Sequence, residues 1–135
     1  ILNPEINDGD SFATNYLYHP YFGALYYQVY RDLGYDKNDA FLGTIIQSTL
    51  WEFTIEGTVE KPSIIDLVVT PGLGIPLGLY FEKINIELYE SDSKLKKTLS
   101  YLINPARLFF DEGDLGFINP LTKTFMIWFL NFNLE

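Results

Sequence analysis

Long apolar runs separated by short polar breaks dominate the chain, and their lengths fit helices. A first run opens at His19 and Pro20 and continues to about Leu33, with Pro20 at the tolerated first position and Gly34 as the stop. A second spans Lys37 or Asn38 to Ile55 or Glu56 and is ended by Gly57. The third starts at Pro62-Ser63, where Ser63 followed three residues later by Asp66 is a capping-box-like start, and heads for Tyr89. Pro71 and Pro76 are expected to kink or interrupt it. A shorter fourth helix covers Lys94 to Ile103 and stops at Asn104-Pro105. Before these lies an Asn-, Asp- and Gly-rich stretch, Ile1 to Tyr18, read as an extended arm pinned by Phe12, Tyr16 and Tyr18. After them come a loop from Asp111 to Pro120 and an aromatic tail, Thr124 to Glu135, whose period fits a strand or a helix. The pattern predicts one mainly α domain: an irregular bundle of three to four helices with a proline-kinked third helix. The arm occupies 1–18, the helical core 19–103, and the loop and aromatic tail, a possible strand, 104–135.

Within the helices the pattern is inverted. His19, Gly23, Tyr27 and Arg31 share one face of the first, Thr44, Ser48, Glu52 and Glu56 one face of the second, and Asp66, Thr70, Gly74 and Gly78 one face of the third. Each stripe is polar or small while its flanks are large and apolar, the reverse of a surface helix, so the stripes should face one another. Short loops make successive helices antiparallel. His19, Glu52, Glu56 and Asp66 then fall at one end of the bundle, and Arg31, about 18 Å away at ~1.5 Å per residue, at the other with Thr44 and Gly78.

Length and composition narrow the choices. At 135 residues the chain suits one domain, and 47% hydrophobic with 17% aromatic content is that of a folded one. A net charge of −9 with few clustered Lys or Arg argues against nucleic acid as a partner and against docking on anionic headgroups. Lys94, Lys96 and Lys97 sit beside Glu90 and Asp92 and read as a solvated helix start. The absence of cysteine excludes disulfide and thiolate chemistry. The abrupt start at Ile1 suggests a removed targeting segment or a piece of a longer protein. The apolar runs Ala40 to Phe53 and Ile64 to Phe81 are too short or too broken for a membrane span, and leave shallow membrane contact open.

Three carboxylates around the single histidine admit two readings. One is a general acid/base or hard-metal site; the other, preferred here, is a buried polar network that fixes helix register, with His19 held between Glu52 and Asp66. One histidine and no cysteine fall short of a zinc set, and no metal or other cofactor is expected. Ser48 and Ser63 lack a nucleophile elbow, and Ser63 is better read as a cap. Gly72-Leu73-Gly74 lacks the ending of a phosphate loop, and Trp51 reads as core or interface packing.

Taken in order, HPYxG, YxxxR, SxxWE with a second Glu four residues on, EKPSxxDLVVTPxxG and NPxR resemble a bacterial envelope family known as domain of unknown function 3943. The carrying residues include His19, Tyr27, Arg31, Ser48, Trp51, Glu52, Glu56, Ser63, Asp66, Thr70, Gly74, Gly78 and Arg107. The resemblance implies a helical domain that follows a secretion signal and often precedes an outer-membrane β-barrel. More distantly, the order of His, Glu and SxxD looks like YfiM-like lipoproteins and VanZ-like membrane proteins. Leu79 stands where the family often has Glu, with Glu82 the nearest replacement. The function expected on this basis is a non-catalytic domain of the bacterial envelope, periplasmic or associated with the outer membrane or an attached barrel. The alternative is a lipid- or cell-wall-modifying enzyme with His19 and Glu52 as acid/base pair, Asp66 orienting His19 and Glu56 assisting. A hydrophobic-ligand carrier is a third option.

Overall fold

The computed structural model describes residues 4–6 and 8–110, so the predicted loop and aromatic tail beyond Asp111 lie outside the described residues. Five α-helices follow in order: α1 His19–Asp32, α2 Lys37–Thr54, α3 Ile64–Tyr89, α4 Lys94–Ile103 and the short α5 Arg107–Phe110. The mainly α bundle expected from the pattern is present, with helix bounds within one or two residues of those read from the stop and start signals.

Local chemistry accounts for the boundaries. Asp36 caps α2 by accepting from the backbone N–H groups of Asn38 and Asp39 at 2.7 and 3.0 Å, which satisfies donors that a helix start leaves open. Ser63 caps α3 by accepting from the Asp66 N–H at 3.3 Å. Gly34, with φ +95°, takes the left-handed conformation that ends α1. Pro71 and Pro76 lie inside α3 and do not divide it: one helix runs through both.

The N-terminal arm differs from the expectation in its second half. Glu5 is extended and forms a parallel bridge with Ser63. Thr14–Tyr18, by contrast, is a π-helical turn that runs directly into α1, with the His19 N–H donating to the Thr14 carbonyl five residues back. Two side-chain contacts override the turn-forming composition. Ser11 Oγ accepts from the Thr14 N–H at 3.1 Å, and the Phe12 and Tyr16 rings, one turn apart, stack at 4.8 Å.

α1 packs most extensively on α3, and next on α2, while α4 covers α3. The closest approach is made by glycines. A Cβ at Gly23 would lie 2.0 Å from the Thr70 carbonyl oxygen, and one at Gly74 would lie 2.6 Å from the Gly23 Cα. Gly78 lies under the Tyr27 ring, 2.9 Å from where its own Cβ would stand. The apolar centre is small, made of Tyr27, Tyr30, Ala40 and Ile75 with Val29, Leu33, Tyr35 and Ile45 against it.

The inverted pattern of the sequence is also the pattern of the fold. Asn15, Gln28, Thr44, Ser48, Glu52, Ser63, Asp66, Thr70 and Asn85 are buried, while Phe22, Phe41, Leu42, Val68, Leu73 and Tyr80 are among many exposed large apolar side chains. α3 is long and apolar enough to cross a membrane by length and composition, yet only 33% of its most apolar window is buried in the bundle.

Candidate functional site

The three polar stripes meet at one end of the bundle. Antiparallel packing brings the start of α1, the end of α2 and the start of α3 together, and the glycine contact between α1 and α3 lets His19 reach across to α3. His19 Nδ1 lies 3.1 Å from Thr70 Oγ1. Its Nε2 lies 3.6 Å from Asp66 Oδ1 and 3.9 Å from Glu56 Oε1. The residue that holds the imidazole at hydrogen-bond distance is therefore Thr70, one turn beyond Asp66, and Asp66 sits at looser ion-pair range.

Glu52 has a different partner from the one expected. Its Oε1 accepts from the backbone N–H of Ser63, tying the last turn of α2 to the cap of α3. Ser48 lies one turn before it, buried on the same face. Glu56 follows in the short 3₁₀ turn Glu56–Thr58, where the chain leaves α2.

Two further carboxylates arrive from the arm, and neither was among the residues singled out in the sequence. Asp8 groups with Glu52 and Asp66, and Asp10 groups with His19 and Glu56; within each set one ligand atom per residue lies within 4.8 Å of the others. The Glu5–Ser63 bridge lays the arm across the start of α3. The Asn- and Asp-rich composition of residues 7–10 was the available signal, but it reads equally well as a turn.

Burial and mutual repulsion shape the electrostatics. Desolvation, then the charges of Glu56 and Asp66, raise the Glu52 carboxyl from 4.5 to about 7, against the lowering effect of the Ser63 N–H. Desolvation also raises Asp66, from 3.8 to about 6; Ser63 and His19 pull it down while Asp8 pushes it up. Both oxygens of Asp66, together with Asp8 Oδ2 and Glu56 Oε2, are buried without a hydrogen-bond partner. Tyr26, raised to about 12 by burial and then by Glu56, keeps its phenolic proton.

Above the cluster opens a cleft of about 240 Å³. Tyr18, Phe22, Tyr26 and Trp51 form its aromatic wall, and His19, Ser48, Glu52, Glu56 and Thr70 its polar floor. Trp51 is thus a cleft wall, 44% exposed, rather than core packing.

Residues 5–106 match the model of a family described as a domain of unknown function, DUF3943. The chain belongs to the DUF3943 family. No curated protein and no solved structure matches it. In this DUF3943 domain the remaining motif residues lie at the far end of the bundle. Arg31 Nε donates to Glu82 Oε1 at 2.7 Å, and the Tyr27 hydroxyl donates to Glu82 Oε2 at 3.4 Å. Glu82 therefore partners Arg31 and stands apart from the histidine cluster. The Arg107 guanidinium lies 4.4 Å over the Tyr89 ring, beside a second cavity of about 200 Å³ lined by Gln28, Arg31, Glu82, Asn85 and Asn104.

Proposed function

We propose that this domain is an acid–base site for an amphiphilic substrate of the bacterial envelope, a lipid or a lipid-linked cell-wall component. The observation that carries the reading is a cluster in which His19, Glu52 and Glu56 line the floor of an aromatic cleft, with Asp66 buried beside His19, and several buried carboxylate oxygens accept no hydrogen bond from the protein. A polar network kept for architecture satisfies its members, because each orphaned buried group costs stability. Sites that must receive a ligand keep such groups open.

Roles follow from position. Glu52, held protonated towards neutral pH by its burial, is the proton donor. His19, fixed by Thr70 and facing Glu56 and Asp66, is the proton acceptor. The aromatic wall takes the apolar part of the substrate, in the manner of pockets that combine an apolar lining with a few placed polar groups. The envelope setting is supported by the family resemblance and by the apolar outer face of the bundle, which suits a domain resting against lipid.

A structural reading is favoured by one observation, the bond from the Ser63 N–H to Glu52 that ties α2 to α3. Turnover of phospholipid and lipid-linked saccharide micelles, followed by mass spectrometry, separates the two. The acid–base reading expects product with the wild type and none with His19→Ala at a nearly unchanged Tm. The structural reading expects no product with either and a large loss of Tm in the variant.

A further inference from the structure

Five carboxylates and one imidazole gather at this end of the bundle, and among the described residues no lysine or arginine pairs with any of them. Lys61 is paired with Glu5 at the surface, and Arg31 with Glu82 at the far end. The imidazole supplies at most one positive charge. Glu52 and Asp66 are buried and Asp8, Asp10 and Glu56 half-buried, and carboxylates so short of counter-charge hold protons or coordinate a cation.

From this arrangement we infer that Asp8, Glu52 and Asp66 bind a hard divalent cation, of the magnesium or calcium class, with Glu56 and Asp10 beside it. Three features of the geometry support it. The three carboxylates offer oxygen atoms all within 4.8 Å of one another, a spread that suits ligands about 2.0–2.6 Å from a shared ion. Asp66 is only 1% exposed, and its oxygens, which face Ser63, Asp8 and His19, accept no well-formed hydrogen bond from the protein. Asp8 accepts from the Asp10 N–H through Oδ1 at 2.9 Å, which leaves its buried Oδ2 free to face the other two. An all-oxygen set selects hard ions over zinc or copper.

The inference rests on reading the cluster as a working site rather than as architecture; a cation bound there holds Glu52 and Asp66 ionised as ligands, so the proton-donor role of Glu52 belongs to the ion-free form. The arm acquires a role as well: Asp8 is the one ligand outside the helices, so the ion would fasten the arm across the mouth of α2 and α3.

The test is thermal unfolding of the whole chain, first stripped with EDTA and then titrated with Mg²⁺, Ca²⁺ or Mn²⁺ against NaCl at matched ionic strength. A saturable rise of roughly 5 °C or more at millimolar ion is expected, lost in Asp66→Asn and reduced in Asp8→Asn. Asp8→Asn, on the arm, keeps the helical cluster intact should Asp66→Asn fail to fold. No rise beyond the NaCl control, or an equal rise in both variants, overturns the inference. Binding of a short-chain phospholipid, read by Trp51 fluorescence in a Trp128→Phe background, is measured in parallel in EDTA. Lipid binding without an ion response overturns the ion and leaves the cleft reading standing. An ion response without lipid binding supports the ion and counts against the cleft.

Discussion

Glu52 and Asp66 carry the most distinctive chemistry of the chain, because both keep protons in the fold that they would release in the unfolded state. Their folded values lie above the ordinary ones, so the folded protein binds more protons than the unfolded one between about pH 4 and 7, and stability falls as pH rises through that window. Each such proton contributes a slope of at most about 1.4 kcal/mol per pH unit. Urea unfolding in EDTA from pH 4.5 to 8 should show this decline. Glu52→Gln keeps an acceptor for the Ser63 N–H but cannot titrate, so it should flatten the decline; an unchanged slope would remove Glu52 as its source. At this scale the sequence revealed His19, Glu52, Glu56 and Asp66 through four-residue spacing alone. It did not reveal Asp8 or Asp10, whose positions depend on a backbone bridge between residues far apart in the chain. Nor did it give the partner of each group: spacing places Thr70 and Asp66 on one face, and only the crossing of α1 and α3 decides which of them meets the ring.

Element boundaries were legible because they rest on local chemistry: Ser63, Gly34 and Asn104-Pro105 act within a few residues of themselves, as does the Asp36 cap that only the structure identified. The π turn at Thr14–Tyr18 was not, since an Asn-, Asp- and Gly-rich stretch also fits an arm and the deciding contacts are Ser11 with Thr14 and Phe12 with Tyr16. The crossing of α1 and α3 is the element-scale feature on which the site depends. Gly23→Ala places a methyl 2.0 Å from the Thr70 carbonyl oxygen, and should cost about 1–3 kcal/mol in urea unfolding while pulling His19 away from Thr70. Ser63→Ala removes the α3 cap but leaves the backbone N–H that Glu52 accepts from. A loss of about 1 kcal/mol is expected, and a much larger loss would mean that the serine hydroxyl holds the cluster itself.

Across the described residues, many polar and small side chains are buried and many large apolar ones are exposed. The middles of α1, α2 and α3 carry no charge between Pro20 and Tyr30, between Ala40 and Trp51, and between Leu67 and Phe81. The longest of these bands is roughly 22 Å at 1.5 Å per residue and lies within α3, whose whole length and composition would also allow a span. The exposed apolar side chains of these bands suit contact with lipid. Sedimentation with neutral phosphatidylcholine vesicles should therefore exceed that with anionic vesicles, given the net charge of −9. Replacing Val68 and Tyr80, 64% and 59% exposed, by Glu should abolish it without loss of Tm; equal sedimentation of this variant would place the contact elsewhere.

An open site and a scaffold differ in the Tm of Asp66→Asn in EDTA at pH 8. The substitution keeps the shape of the side chain and removes one buried charge that has no hydrogen-bond partner, so the account predicts a Tm above that of the wild type. A clear fall in Tm would contradict it and make the Asp66 to His19 contact part of the architecture.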